Sequence, residues 1–360
     1  MIERTSQRRG GLPAAALLLV TVLAACGGGT EGGTGDGDAP AAGPAQTFTN
    51  PVLETDFADP HVVRDGDTFY AYATGLPDAF IDIQVVTSTD LVEWSEPADA
   101  LPDRPGWQPL EAGLTWAPEV VEVDGRWLMY YTAREKASGL QCLALAVADA
   151  PDGPFEDTSS EPLLCQRELG GAIDAFAFED TDGARYLFWK NDGNARGLDT
   201  RIWVQRLSAD GMRLEGEPVD TGLKQTQPWH GALVEAPTVV LRDGTYVLFY
   251  SANDYGSDAY AMGYATATAV TGPYVDRSEQ PWVDTEGDAA GPGGQAVLTL
   301  DDEQWLVYHA WEPGEEGYPE GRRGMWLDRL TWAEGTAPGQ AQPVLEGPTS
   351  EEQPAPLAAE

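Results

Sequence analysis

One hairpin phrase recurs five times along this chain, and no other feature restricts its fold as tightly. Residues 61–74 read HVVRDGDTFYAYAT: an alternating strand, an Asp-Gly turn and a second strand rich in aromatics. Asp-Gly suits a two-residue hairpin because type I′ turns need positive φ at both central positions. The phrase returns as EVVEVDGRWLMYYTA (119–133), AFAFEDTDGARYLFWK (175–190), TVVLRDGTYVLFYSA (238–252) and AVLTLDDEQWLVYHAW (296–311). The copies start about 60 residues apart, and a fixed period of that kind marks a propeller or an array. Each copy is followed by a second strand pair, for example CLALAVADAPDGPFED and MGYATATAVTGPYVD. Four strands make one blade. The expectation is an all-β chain, a five-bladed β-propeller over residues 48–345, with no helix needed and no room for a second domain.

The flanks read differently. Arg4, Arg8 and Arg9 precede an apolar run at 12–23 that is too short to cross a bilayer, which marks a signal peptide over residues 1–25. Residues 26–47 are rich in Gly, Ala and Pro with little to bury, the composition of a flexible linker. The tail at 346–360, including TSEEQPAPLAAE, is expected to be disordered. Cys142 and Cys165 would lie in exported territory, where a disulfide is permitted; buried free thiols are the alternative. Acidic residues number 59 against 21 basic ones, a net charge of −38. Such a surface repels phosphates, which argues against nucleic acid and anionic lipid as partners and leaves a neutral sugar acceptable. The chain is expected to be a monomer. Three histidines and no HExxH pattern give no basis for a zinc site.

In a propeller the innermost strand of each blade runs beside the central channel, so the first residues of each phrase should meet at one mouth. Blade one supplies Asp59, blade two Trp116, blade three Asp174, blade four Glu235 and blade five Gly294-Gln295. Crowded carboxylates push one another's pKa values apart. Glycoside hydrolysis uses such a split: one carboxyl stays protonated for the leaving oxygen while another acts on water or carbon.

These motifs, DFADPHVV, TWAPEVVEVDGRWLMYYTA, CLALAVADAPDGPFED, GGAIDAFAFED, VEAPTVV and YHAW, resemble glycoside hydrolase family 43 in order and spacing across the whole propeller. The resemblance implies an inverting enzyme acting on arabinan, xylan or related plant polysaccharides. It implies Asp59 as general base, Asp174 as modulator of the acid and Glu235 as general acid. It also implies His309 beside the channel, near water or a cation such as calcium, with no obligatory cofactor. The N-terminal LAAC resembles a lipobox, which implies that Cys26 carries lipid and that the protein is extracytoplasmic, either tethered to the membrane by that anchor or secreted. Ala175 and GPGGQAV depart from the commoner family pattern, where Pro and Gly-His stand.

Further candidates for sugar contact are Trp229 and His230 in the pocket wall, Gln295, and Arg322 or its neighbour Arg323. His61 should alternate away from the pocket if its strand is regular. An α-L-arabinofuranosyl linkage is the first choice of substrate and a β-xylosyl linkage the second. A fructan or sucrose hydrolase would open with Asn-Asp-Pro-Asn-Gly, which FADPHVV lacks. A sugar-binding propeller without catalysis would be under no chemical constraint to keep three channel carboxylates.

Overall fold

A strand covered on both faces loses the alternation of polar and apolar residues. The second strand of blade two, Arg126–Arg134, shows this in its run WLMYYTA. Met129 and Tyr131 pack with Tyr72, Ile83 and Val85 of blade one. Leu128 and Tyr130, between them in sequence, pack with Leu187 and Trp189 of blade three. Each blade therefore buries both faces against its neighbours, and the core lies in the seams between blades. The computed structural model describes residues 47–333 and 341–357, and among these the only helices are four single 3₁₀ turns.

The blades follow chain order. Blade one comprises His61–Asp65, Thr68–Leu76, Ile81–Ser88 and Ala98–Asp99, and blade three Ala172–Glu179, Arg185–Asn191, Arg201–Leu207 and Leu214–Lys224. Blade four comprises Val234–Arg242, Thr245–Ala252, Ala261–Ala267 and Val275–Asp276, and blade five Ala290–Leu300, Glu303–Trp311, Arg323–Trp332 and Pro343–Leu345. Blade two has three full strands, Thr115–Val123, Arg126–Arg134 and Gln141–Ala148. Bridges from Leu143 to Leu164 and from Val147 to Glu156 stand in for its fourth. Cys142 and Cys165 form a disulfide at this outer edge. The Asp-Gly turns of blades two and four have positive φ at both residues, as the type I′ reading requires: 54° and 76° at Asp124-Gly125, 49° and 75° at Asp243-Gly244.

The tail expected to be disordered is ordered through residue 357. Thr47–Phe48 pairs antiparallel with Gln353–Pro354. The Asn50 amide binds Leu327 O, Asp328 Oδ1 and Thr349 O, while Gln353 Nε2 also reaches Asp328 Oδ1 at 3.1 Å. Phe48 and Ala355 join the cluster between blades five and one. Composition hides this because Asn50 and its partners lie some 300 positions apart. The signal peptide, Cys26 and nearly all of the linker lie outside the described residues.

Candidate active site

Every inner strand breaks its regular twist at the same place. Asp59, Ala117, Asp174, Ala236 and Gly294 share a left-handed conformation, with φ of 54°, 43°, 58°, 50° and 59°. In four blades the ladder register slips at this point, and a bulge of this kind re-aims side chains. Non-glycine residues held there cost of order 1–3 kcal/mol each, a strain that clusters at functional sites. The shared position corrects the register expected from sequence. Asp59 and Asp174 are true equivalents, whereas Glu235 and Trp116 each stand one residue earlier. In blade one the left-handed turn at Asp59, two residues ahead of the strand, ends the alternation that would send His61 outward. His61 lines the central cavity with Asp59, Glu119, Asp174 and Gln295. Its Nδ1 lies 2.8 Å from Glu119 Oε2 and its Nε2 2.9 Å from Val120 O. Burial opposes a charge on this ring, but the Glu119 carboxylate and the two contacts outweigh it and raise its pKa.

Opposite each bulge, the second strand of the blade presents one polar side chain: Thr74, Thr132, Lys190, Ser251 or His309. Four of the five accept the bulge N–H of the next blade. Ala117 N donates to Thr74 Oγ1 (3.0 Å), Asp174 N to Thr132 Oγ1 (3.2 Å), Gly294 N to Ser251 Oγ (3.0 Å) and Asp59 N to His309 Nδ1 (3.0 Å). Lysine has no acceptor. At the seam between blades three and four, Ala236 N donates instead to Asp174 Oδ2 at 2.9 Å. Lys190 Nζ is left to bond Glu235 Oε2 at 2.9 Å, with Asp192 Oδ1 at 3.6 Å. Tyr260 OH donates to the other oxygen of Glu235 at 2.8 Å.

The carboxylates thus meet in different company. Asp59 Oδ2 accepts from Thr74 Oγ1 at 2.6 Å, and Oδ1 lies 3.9 Å from Arg323 Nη1. Arg323 is buried among the rings of Tyr255, Trp311 and Tyr318, with its Cζ 5.2, 5.5 and 5.4 Å from their centroids. Asp174 is half-buried, and loss of solvent, then the Glu235 charge, push its carboxyl up to about 8 against the opposing pull of Lys190. A site so built holds a proton on one side of the pocket and a carboxylate among donors on the other. Acid–base hydrolysis needs one carboxyl that gives a proton and one that takes it, and here the proton-holding Asp174 lies beside Glu235.

Several sequence-nominated residues spend their polar atoms on the frame. Gln295 uses its amide as a strut, Nε2 to Ala236 O (2.7 Å) and Oε1 from Ser251 Oγ (2.8 Å). His230 is buried, accepts Thr226 N at Nδ1 and meets Tyr250 OH at 3.0 Å. Trp229 stacks on Tyr250 and donates to Ser278 O. Arg322 is exposed, and its neighbour Arg323 makes the contact to Asp59. Trp116 is half-buried with its indole N–H on Gly113 O. Gly294 must stay bare: a Cβ would lie 2.6 Å from His309 Nδ1 and 2.7 Å from Asp59 Oδ1. Since His309 Nδ1 accepts a backbone N–H, its Nε2 carries the ring proton. A protonated nitrogen offers no lone pair, so His309 in this arrangement does not fit a calcium ligand, and no chemical step is assigned to a metal. Lys190 and Tyr260 escaped the sequence reading, although a lysine inside the apolar strand YLFWK was a legible anomaly.

A five-bladed propeller with carboxylates from three blades at the channel mouth defines a glycosidase. Residues 48–337 match the family model described as glycosyl hydrolases family 43, and the chain belongs to that family. A crystal structure of a thermostable family-43 glycoside hydrolase superposes with a TM-score of 0.74 at 32% identity, over 86% of this chain and 99% of that one. The extracellular endo-α-(1→5)-L-arabinanase 1 of Bacillus subtilis (strain 168) is 24% identical over 77% of this chain and 85% of its own. The extracellular exo-α-(1→5)-L-arabinofuranosidase of Streptomyces avermitilis is 25% identical over 92% of this chain and 71% of its own.

Proposed function

We propose that this glycosidase hydrolyses α-L-arabinofuranosyl linkages of arabinan-type polysaccharide with inversion. Glu235 donates a proton to the leaving oxygen, Asp59 takes one from the attacking water, and Asp174 positions and tunes the acid. The observation that carries the reading is the link from Asp174 Oδ2 through the Ala236 amide to the residue before it, Glu235, set against Asp59 among donors on the opposite side. The two arabinan-active relatives favour this sugar. The rim fits a polymer: Phe80, Leu110, Leu169, Leu198, Tyr255 and Tyr318 are exposed apolar side chains. All six lie on loops joining strands at the channel mouth, and the rings of Phe80, Tyr255 and Tyr318 offer apolar faces on which a sugar can stack.

The test compares 4-nitrophenyl α-L-arabinofuranoside, 4-nitrophenyl β-D-xyloside and linear arabinan as substrates for the protein and its Glu235→Ala variant. The variant should lose about 10²–10⁴-fold on arabinan and less on the aryl arabinoside, whose leaving group needs little protonation. Near-normal arabinan hydrolysis by the variant would reject the acid, and release of xylose alone would reject the sugar. We infer also that the protein acts outside the cytoplasm, as the names of both relatives say of them, held there by lipid on Cys26. Membrane association that survives Cys26→Ser would rule out that anchor.

A further inference from the structure

Lys190 is the one break in a ring of five hydrogen bonds, and the break falls at the acid. Its side chain is 1% exposed, on Arg185–Asn191, and hands its blade's acceptor duty to Asp174. Burying an ammonium is costly unless it is paired. A threonine or serine, as in blades one, two and four, would complete the ring without that cost, so the stability of the seam does not account for the lysine.

We propose that Lys190 is a positioning residue that strengthens Glu235 as an acid by holding the carboxylate left after proton transfer. This rests on the assignment of Glu235 made above. In the chemical step the Glu235 proton moves to the glycosidic oxygen as that oxygen takes the electron pair of the breaking C–O bond. Water bonds to the anomeric carbon and gives its proton to Asp59. Glu235 is then an anion whose two oxygens accept from Lys190 Nζ and Tyr260 OH, at 2.9 and 2.8 Å. Charge that develops in the transition state is thereby met by a donor already in place, which is where preorganised groups act most strongly.

The other charges around Glu235 sort by sign. From blade three, Asp192 opposes a negative Glu235 and Lys190 favours it, and Asp174 opposes it once its own proton is lost. Arg134 of blade two lies beyond Asp192. From blade four Tyr260 is a neutral donor backed by the neutral ring of His309, and Asp59 across the channel adds a weaker opposing charge. Lys190 is the nearest cation, so its removal and the removal of Asp192 should act in opposite directions.

The experiment measures kcat/KM against pH on the aryl arabinoside for the wild type, Lys190→Met, Lys190→Arg, Asp192→Asn and Glu235→Gln, with circular dichroism to confirm folding. The alkaline limb reports the acid. Lys190→Met should move it up by about 1–3 pH units, the usual effect of one close opposite charge. Lys190→Arg should restore it, and Asp192→Asn should move it down. A folded Lys190→Met whose limb stays in place overturns the proposal even if kcat falls. If Lys190→Met does not fold, Asp192→Asn decides: a lowered limb supports the proposal and an unmoved one overturns it. Glu235→Gln separates the two readings. Survival of the alkaline limb in that variant would refute Glu235 as the acid, independently of Lys190.

Discussion

Two seams of this propeller begin from the same residue and arrive at different chemistry. Where blade one meets blade two, Thr74 accepts the Ala117 N–H and leaves the Asp59 carboxylate to face Thr74 and Arg323. Where blade three meets blade four, Lys190 cannot accept the Ala236 N–H, and the Asp174 carboxylate must do so. Asp59 and Asp174 hold equivalent positions with nearly equal φ. One carboxylate is nevertheless free to meet a water, and the other is committed to the backbone that carries Glu235. The difference lies in which side chain each aspartate's own blade offers to the next bulge: an acceptor, Thr74, beside Asp59 and a donor-only cation, Lys190, beside Asp174. A repeat can thus give one residue type two duties without changing the backbone that bears it.

The comparison would break most visibly at Asp59. Asp59→Ala should lose about 10²–10⁴-fold on arabinan and on aryl arabinoside alike, because water must be activated for both. Steady-state rates on the two substrates check this, and a loss confined to arabinan would assign Asp59 to the leaving group instead.

Asp174 offers a second test, through stability. Its carboxyl is raised from an ordinary 3.8 to about 8 in the fold. The folded state therefore binds its proton more tightly than the unfolded chain. The stability linked to that proton is fully present below 3.8 and is lost as the pH rises through about 8. Asp174→Asn keeps an oxygen for the Ala236 N–H and removes the titration. Melting curves from pH 4 to 9 should show the variant gaining on the wild type as pH rises, by several degrees, since about 1 kcal/mol moves Tm by roughly 2–4 °C in chains of 150–250 residues. A difference that is constant with pH would remove the buried proton from the account.

The smallest effect belongs to a regular seam. Thr132→Val deletes the acceptor for the Asp174 N–H and should cost about 1–3 kcal/mol of stability, the penalty for an orphaned buried donor. Denaturant unfolding measures it. No loss would mean that the ring of acceptors is decoration, and that the exception at Lys190 loses its contrast.

The sequence by itself determined the architecture. Five copies of one hairpin phrase, with Asp-Gly turns and apolar runs in the second strands, admit few folds other than five blades, because each strand must bury both faces against a like neighbour. The same copies located the three carboxylates. Local pattern could not show the bulge, since left-handed φ at Asp59, Ala117 and Asp174 is imposed by bonds to residues of the neighbouring blade. It therefore placed Glu235 in register with the aspartates and turned His61 outward. Nor could it tell Arg322 from Arg323, or see that Trp229, His230 and Gln295 spend their polar atoms on the frame. The tail at 346–357 looked unstructured because its partners Thr47–Phe48 and Asn50 are distant in the chain. Only the tertiary structure decided which carboxyl keeps a proton, because that depends on burial and on the charge of side chains that the fold brings together, Lys190 above all.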